Sequence, residues 1–323
     1  EEADVVASYS TPDNLAPAGG RLFFSSGGKV LELYGKGEVE LVEDGPDHIT
    51  AMAGAPDGTL AVARSRKGLS FPVNPGGHAA QATIGGSTGD ITALAFAGDG
   101  LVATIGSEQF RATEWRHDLM SKGKSGSVWL LQRNGEPKRL ADGLAFPYGV
   151  APVGDGSFLV SECWRSALLR IGHQPRPEEV VSNLPAYPAR LCRAAGGGYW
   201  LALFAPRNQI IEFVLREPAF RARMMREIEP IYWVAPMLVP SDYPLDPMLR
   251  GVQKVSGGDV NPWGSSLSYG LVARLGEDFA PEYSFHSRAN GRRHGITSVI
   301  EHDGRLIAAS YGGGLVGLPA GRG

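Results

Sequence analysis

Ile91–Ser107 reads ITALAFAGDGLVATIGS, and Ile49–Ser65 reads ITAMAGAPDGTLAVARS. Each is a short apolar strand, a glycine-bearing turn and a second apolar strand. The same pattern returns at Asp13–Ser26 (DNLAPAGGRLFFSS), Tyr148–Trp164 (YGVAPVGDGSFLVSECW), Ala189–Phe204 (ARLCRAAGGGYWLALF) and Ile296–Tyr311 (ITSVIEHDGRLIAASY). Strand-and-turn units recurring about every 40 residues indicate radial repeats, because one unit cannot bury its own faces and must stack on the next. Six copies predict an all-β fold, a six-bladed β-propeller, as one domain over 1–323.

Composition agrees. The chain has 323 residues and an apolar fraction of 43%, with 44 glycines and 23 prolines, as many short strands and tight turns require. Net charge is −3, from 31 basic and 34 acidic residues, so nucleic acid is not an expected partner. The short basic run at 288–293 (RANGRR) reads as a loop. Two cysteines, Cys163 and Cys192, make no disulfide framework and no zinc site. They read as buried thiols, or as a bonded pair if neighbouring blades bring them together. The sequence begins with Glu1 and contains no apolar run of membrane-spanning length, which leads us to expect an extracytoplasmic protein, periplasmic or secreted, with a membrane-anchored form as the alternative.

Residues 4–9 (DVVASY) read as a strand that joins the last blade near Leu315–Leu318 and so closes the ring. Val30–Tyr34 with Glu38–Val42, and Ser127–Gln132 with Pro137–Leu140, read as outer hairpins, the second turning at Asn134-Gly135. Two insertions interrupt the spacing. The first, 108–126 in blade 3, is polar and reads as a loop over one face. The second, about 205–293 in blade 5, contains a predicted helix at 217–229, started by Pro218 and stopped by Pro230. Phe220, Met224, Met225 and Ile228 fall on one side of it and three arginines on the other. This insertion reads as a cap or lid on the propeller, with contact to a membrane or a membrane protein as the alternative. An apolar stretch (Ile231–Leu238) and a Pro-, Gly- and Ser-rich loop to Ser268 follow the helix.

Propeller ligands gather where the inner strands open onto the central channel. Those openings are Asp13-Asn14, Asp47-His48, Asp90, Pro147-Tyr148, Pro188-Ala189-Arg190 and His294-Gly295. No serine nucleophile elbow occurs, and the glycine runs precede strands, so they are not phosphate loops.

The stretches 143–171 (GLAFPYGVAPVGDGSFLVSECWRSALLRI), 183–200 (NLPAYPARLCRAAGGGYW) and 294–318 (HGITSVIEHDGRLIAASYGGGLVGL) resemble the strictosidine synthase-like family. The likeness is strongest from Leu144 onward, and the blade-five insertion is similar to that of its adipocyte plasma membrane-associated branch. The resemblance implies kinship with the gluconolactonase and paraoxonase propellers, which hold calcium at the channel mouth with a Glu, an Asp and asparagines. Two of those positions fall on Tyr148 and on Ala189-Arg190. A guanidinium there repels a divalent ion, so no cofactor is expected, with calcium held by Asp90 and Asp13 or Asn14 as the lesser alternative. The glutamate that handles protons in the plant alkaloid enzyme falls near Ile296–Thr297, where no carboxylate stands, so that condensation is not expected either.

The remaining polar set gives the candidate site. Arg190 can grip an anionic ligand or pair with Asp90 or Glu162 and plug the channel. Tyr148 can donate to an oxyanion or fill the space an ion leaves, and His294 can act as a general base or be structural. His294 and Tyr148 are the catalytic candidates. Arg190, Asp90, Glu162, His48 and Asn14 are the ligand-binding ones. The expected function is hydrolysis of a small ester or lactone at the channel mouth without the usual calcium ligands. The alternative is a non-catalytic binding domain for a small anionic ligand.

Overall fold

A computed structural model describes residues 3–318 apart from 82, 99, 134, 173–175, 240–267 and 289–290. Six antiparallel sheets stand around one axis. Their inner strands are Asp13–Ala18, Ile49–Gly54, Ile91–Ala97, Pro147–Pro152, Ala186–Arg193 and Ile296–His302, each packed beside the next around the ring. We number the blades 1 to 6 in that order.

Both faces of each blade are covered, so strand alternation sends successive side chains into two different interfaces. Phe23 and Val30 of blade 1 pack with Met52 and Val62 of blade 2. Their neighbours Leu22 and Phe24 pack the other way, against Ile307 and Leu315 of blade 6. Unbroken apolar runs such as LFF follow from this double burial. Each of the six blade-to-blade interfaces has its own buried cluster.

Ring closure follows the sequence expectation. The strand Asp4–Ala7 pairs antiparallel with Gly314–Leu318 and becomes the outermost strand of blade 6. Among the described residues blade 2 has three strands, and its outer edge carries a single bridge, Leu69 to Gln81. The two expected outer hairpins are present as Lys29–Tyr34 with Glu38–Glu43 and Gly126–Leu131 with Lys138–Leu144. Asn134 lies outside the described residues.

The insertions hold more helix than expected. The blade-3 insertion forms a 3-10 turn, Ala112–Glu114, and helix α1, Trp115–Ser121. The blade-5 insertion forms α2, Gln209–Arg216, and α3, Pro218–Glu227. Asn208 caps α2 by accepting from Ile210 N (2.8 Å). Leu119 and Met120 of α1 pack with Val214 of α2, Met224 of α3 and Trp233. The two insertions therefore form one small helical cap. The side expected to unite Phe220, Met224, Met225 and Ile228 does not pack as a unit: Met224 is buried, while Phe220 and Ile228 are exposed. Most of the loop leading to Ser268 lies outside the described residues.

Candidate functional site

A β-bulge sits at the channel-mouth end of every inner strand. Ile49 pairs with Arg64 and Ala51 with Ala63, which leaves Thr50 extra. Thr92, Tyr148 and Thr297 are extra in the same way. In blade 1 Asn14 and Leu15 fall between the paired Asp13 and Ala16, and in blade 5 Ala189 and Arg190 fall between Pro188 and Leu191. A bulge turns backbone and side chain off the ladder and re-aims them. Six bulges in a ring bring a set of main-chain carbonyls and side chains to one place.

Arg190 occupies that place. Its Nη1 donates to Asp13 Oδ1 (2.6 Å) and to the carbonyl of Thr297 (3.4 Å). Its Nη2 donates to the carbonyls of Thr50 (2.8 Å) and Thr92 (3.3 Å). The guanidinium carbon lies 4.7 Å from the centre of the Tyr148 ring. All six blades thus contribute, and Arg190 is only 8% exposed. Burial works against its charge, but Asp13 and Tyr148 outweigh burial and hold the guanidinium protonated. Burial pushes the Tyr148 phenol well above its usual range, partly offset by Arg190, so it stays a neutral hydroxyl.

This corrects the expected partner of Arg190. The pair is with Asp13, not Asp90 or Glu162. Asp90 accepts from Ser65 Oγ (2.8 Å) and from the main-chain N–H groups of Arg66 (3.2 Å) and Ala112 (2.9 Å). It ties the blade-3 insertion to blade 2. Glu162 accepts from Ala145 N (2.8 Å) and pairs with Arg165 (2.9 Å). Asn14 is fully buried with a left-handed backbone (φ 53°) and donates to Ser25 Oγ (2.8 Å).

Above Arg190 lies a cavity of about 190 Å³, lined by Asp13, His48, Tyr148 and Arg190. Its apolar walls are Phe146, Trp164 and Phe204, and Trp115 and Leu238 reach it from the two insertions. The rings contact one another: Phe146 stacks on Trp164 (4.7 Å) and Trp115 meets Phe204 edge-on (5.8 Å). Trp164 is fixed by donating from Nε1 to Asp118 Oδ2 of α1 (2.7 Å). The cap therefore roofs a pocket whose floor is the bulge ring.

Three expected residues, His48, Tyr148 and Arg190, share this pocket; Asp90, Glu162, Asn14 and His294 do not line it. His294 is fully buried. Its Nδ1 bonds with Ser268 Oγ (2.8 Å) and its Nε2 with the carbonyl of Arg288 (2.9 Å). Burial lowers its pKa, partly offset by the Arg288 carbonyl. With both nitrogens engaged it braces the loop before blade 6, and it does not line the pocket. His48 is the pocket imidazole, half-buried and without a hydrogen bond from its ring to the described residues. Sequence reading missed the wall residues Trp115 and Leu238, whose role depends on how the insertions fold back. The cysteines are both free, and burial pushes Cys192 up to about 12.

The residues here do not fit a calcium ion. Calcium needs six to eight oxygens, several of them anionic. The one carboxylate facing the pocket is bound to Arg190, and among the described residues no group of three His, Cys, Asp or Glu side chains is placed to hold a metal.

No family model matches the chain. The adipocyte plasma membrane-associated protein of Salmo salar is 24% identical over 93% of this chain and 73% of its own length. Strictosidine synthase-like 10 of Arabidopsis thaliana is 28% identical over 40% of this chain and 36% of its own length. A gluconolactonase structure from Xanthomonas campestris superposes with a TM-score of 0.62, at 14% identity, over 98% of this chain and 89% of that one. The chain is a six-bladed β-propeller homologous to the adipocyte plasma membrane-associated and strictosidine synthase-like proteins, in the architecture that gluconolactonases share.

Proposed function

We propose that this propeller binds a small, uncharged organic molecule at the channel mouth and hydrolyses an ester or lactone in it without calcium. The observation that supports this is the convergence of Asp13, His48 and Tyr148 on one aromatic-walled cavity. Among the described residues the hydrogen bonds of the Asp13 side chain all use Oδ1, which leaves Oδ2 for the pocket. In this reading His48 takes a proton from water as the oxygen attacks the carbonyl carbon. The neutral Tyr148 hydroxyl donates to the carbonyl oxygen as it gains charge. Cleavage of the C–O bond then returns the proton to the leaving alkoxide.

A bound anion is disfavoured, because four of the five guanidinium N–H groups of Arg190 are already spent on protein oxygens. Binding without turnover is the second reading. It is favoured by the lack of a hydrogen bond between Asp13 and His48, which leaves the imidazole unoriented. The test is turnover of aryl esters and γ-lactones in the presence of a calcium chelator. Turnover that persists there and is lost in His48→Ala supports hydrolysis. Saturable binding of the same compounds with no turnover supports the second reading. Turnover that needs calcium contradicts both.

The cap exposes Ile210, Phe213, Phe220, Ile231 and Tyr232. No helix among the described residues is long and apolar enough to cross a membrane. We propose that the protein works outside the cytoplasm and that the cap rests on a membrane surface.

A further inference from the structure

The geometry points to a preformed cation-binding shell that the protein fills with its own side chain. The oxygens around the Arg190 guanidinium come from four different blades: Asp13 Oδ1 and the carbonyls of Thr50, Thr92 and Thr297. The three carbonyls belong to bulged residues, so they are freed from the sheet ladder at the point where they converge. Carbonyl oxygens with one carboxylate, in a buried ring, form a coordination shell for a cation. Such oxygens are costly to leave unpaired. They repel one another unless positive charge sits between them. Arg190 supplies that charge covalently, through a side chain that no chelator removes. Its structural duty is thus separate from the pocket chemistry above, and the inference stands whether or not hydrolysis occurs.

Truncating the side chain should therefore convert the channel mouth into a site for a free small organic cation, an alkylguanidinium. The experiment is thermal unfolding of Arg190→Ala with millimolar methylguanidinium, calcium or, as a control too large for the site, tetramethylammonium. Loss of Arg190 leaves Asp13 buried and unpaired, so Tm should fall by roughly 10 °C. Methylguanidinium should recover part of that loss, calcium and tetramethylammonium should not, and the wild type should respond to none of them. A folded Arg190→Ala variant that methylguanidinium does not stabilise, or that calcium stabilises as much, overturns the inference, as does a wild type stabilised by calcium. Should Arg190→Ala fail to fold, Arg190→Lys and Arg190→Met decide. The lysine variant should retain much more of the wild-type Tm than the methionine variant, and equal Tm values for the two overturn the proposal.

Discussion

Arg190 Nη1 lies 2.6 Å from Asp13 Oδ1, a contact between residues 177 positions apart in sequence that reaches across the channel mouth from blade 5 to blade 1, past blade 6. The same carboxylate oxygen accepts from the Thr297 hydroxyl (2.7 Å) and the Asn14 main-chain N–H (2.8 Å). Asp13→Asn keeps the shape and removes the charge, which leaves a buried guanidinium without a counter-ion. It should destabilise the protein by about 3–5 kcal/mol. Denaturant unfolding at neutral pH measures this, and a loss below about 1 kcal/mol would show that the pair behaves like a surface one.

The two histidines near the channel should separate cleanly. His48→Ala touches a half-buried pocket side chain, so stability should change by no more than about 0.5 kcal/mol while kcat on a hydrolysed ester falls at least about 100-fold. His294→Ala should do the reverse. It removes the partner of Ser268 and of the Arg288 carbonyl and should cost about 1–3 kcal/mol with little effect on kcat in the protein that remains folded.

His294 also sets an acid limb. Its pKa is lower folded than unfolded, because burial disfavours the imidazolium. The folded state therefore binds fewer protons, and stability rises with pH through this window. The contribution is complete above the ordinary imidazole value of about 6.5 and is lost as pH falls below it toward the folded value. Unfolding free energies from pH 7.5 down to 5 should decline in the wild type. The decline should be shallower in His294→Gln.

Much of this was legible in the sequence and some was not. The six copies, the closing strand at Asp4–Ala7 and the outer hairpins follow from strand alternation and turn residues alone, since each copy repeats the same local physics. Helices α1 and α2 were missed because Leu119, Met120 and Val214 are apolar for the sake of one another, a tertiary contact between insertions about 90 residues apart. The bulges were invisible because one extra residue in a strand leaves no compositional mark. That is also why Asp13 was not singled out as the partner of Arg190 and why His294, a loop-end histidine, read as exposed to the channel.

Gly149 tests the packing under the pocket. A Cβ there would lie 2.4 Å from the Ala189 carbonyl and 2.9 Å from Arg190 Cα, inside any normal contact. Gly149→Ala should push the blade-5 bulge away from the axis, cost about 1–3 kcal/mol, and weaken ligand binding more than a comparable substitution at an outer strand. Calorimetric affinity beside thermal unfolding checks both halves.

The exposed face of the cap has its own expected outcome. Phe213 and Phe220 are 60% and 51% exposed. Replacing both with serine should leave Tm unchanged and abolish co-sedimentation with lipid vesicles. Equal sedimentation of wild type and variant would remove the membrane from the account.

The central claim is that a guanidinium occupies the mouth of the channel where the bulged oxygens converge. A crystal structure of the wild type grown in calcium, with anomalous data collected at long wavelength, tests it most directly. The expected result is Arg190 density bonded to Asp13, Thr50, Thr92 and Thr297, with no anomalous peak among them. A divalent ion seated beside Tyr148, with the Arg190 side chain turned away, would contradict it.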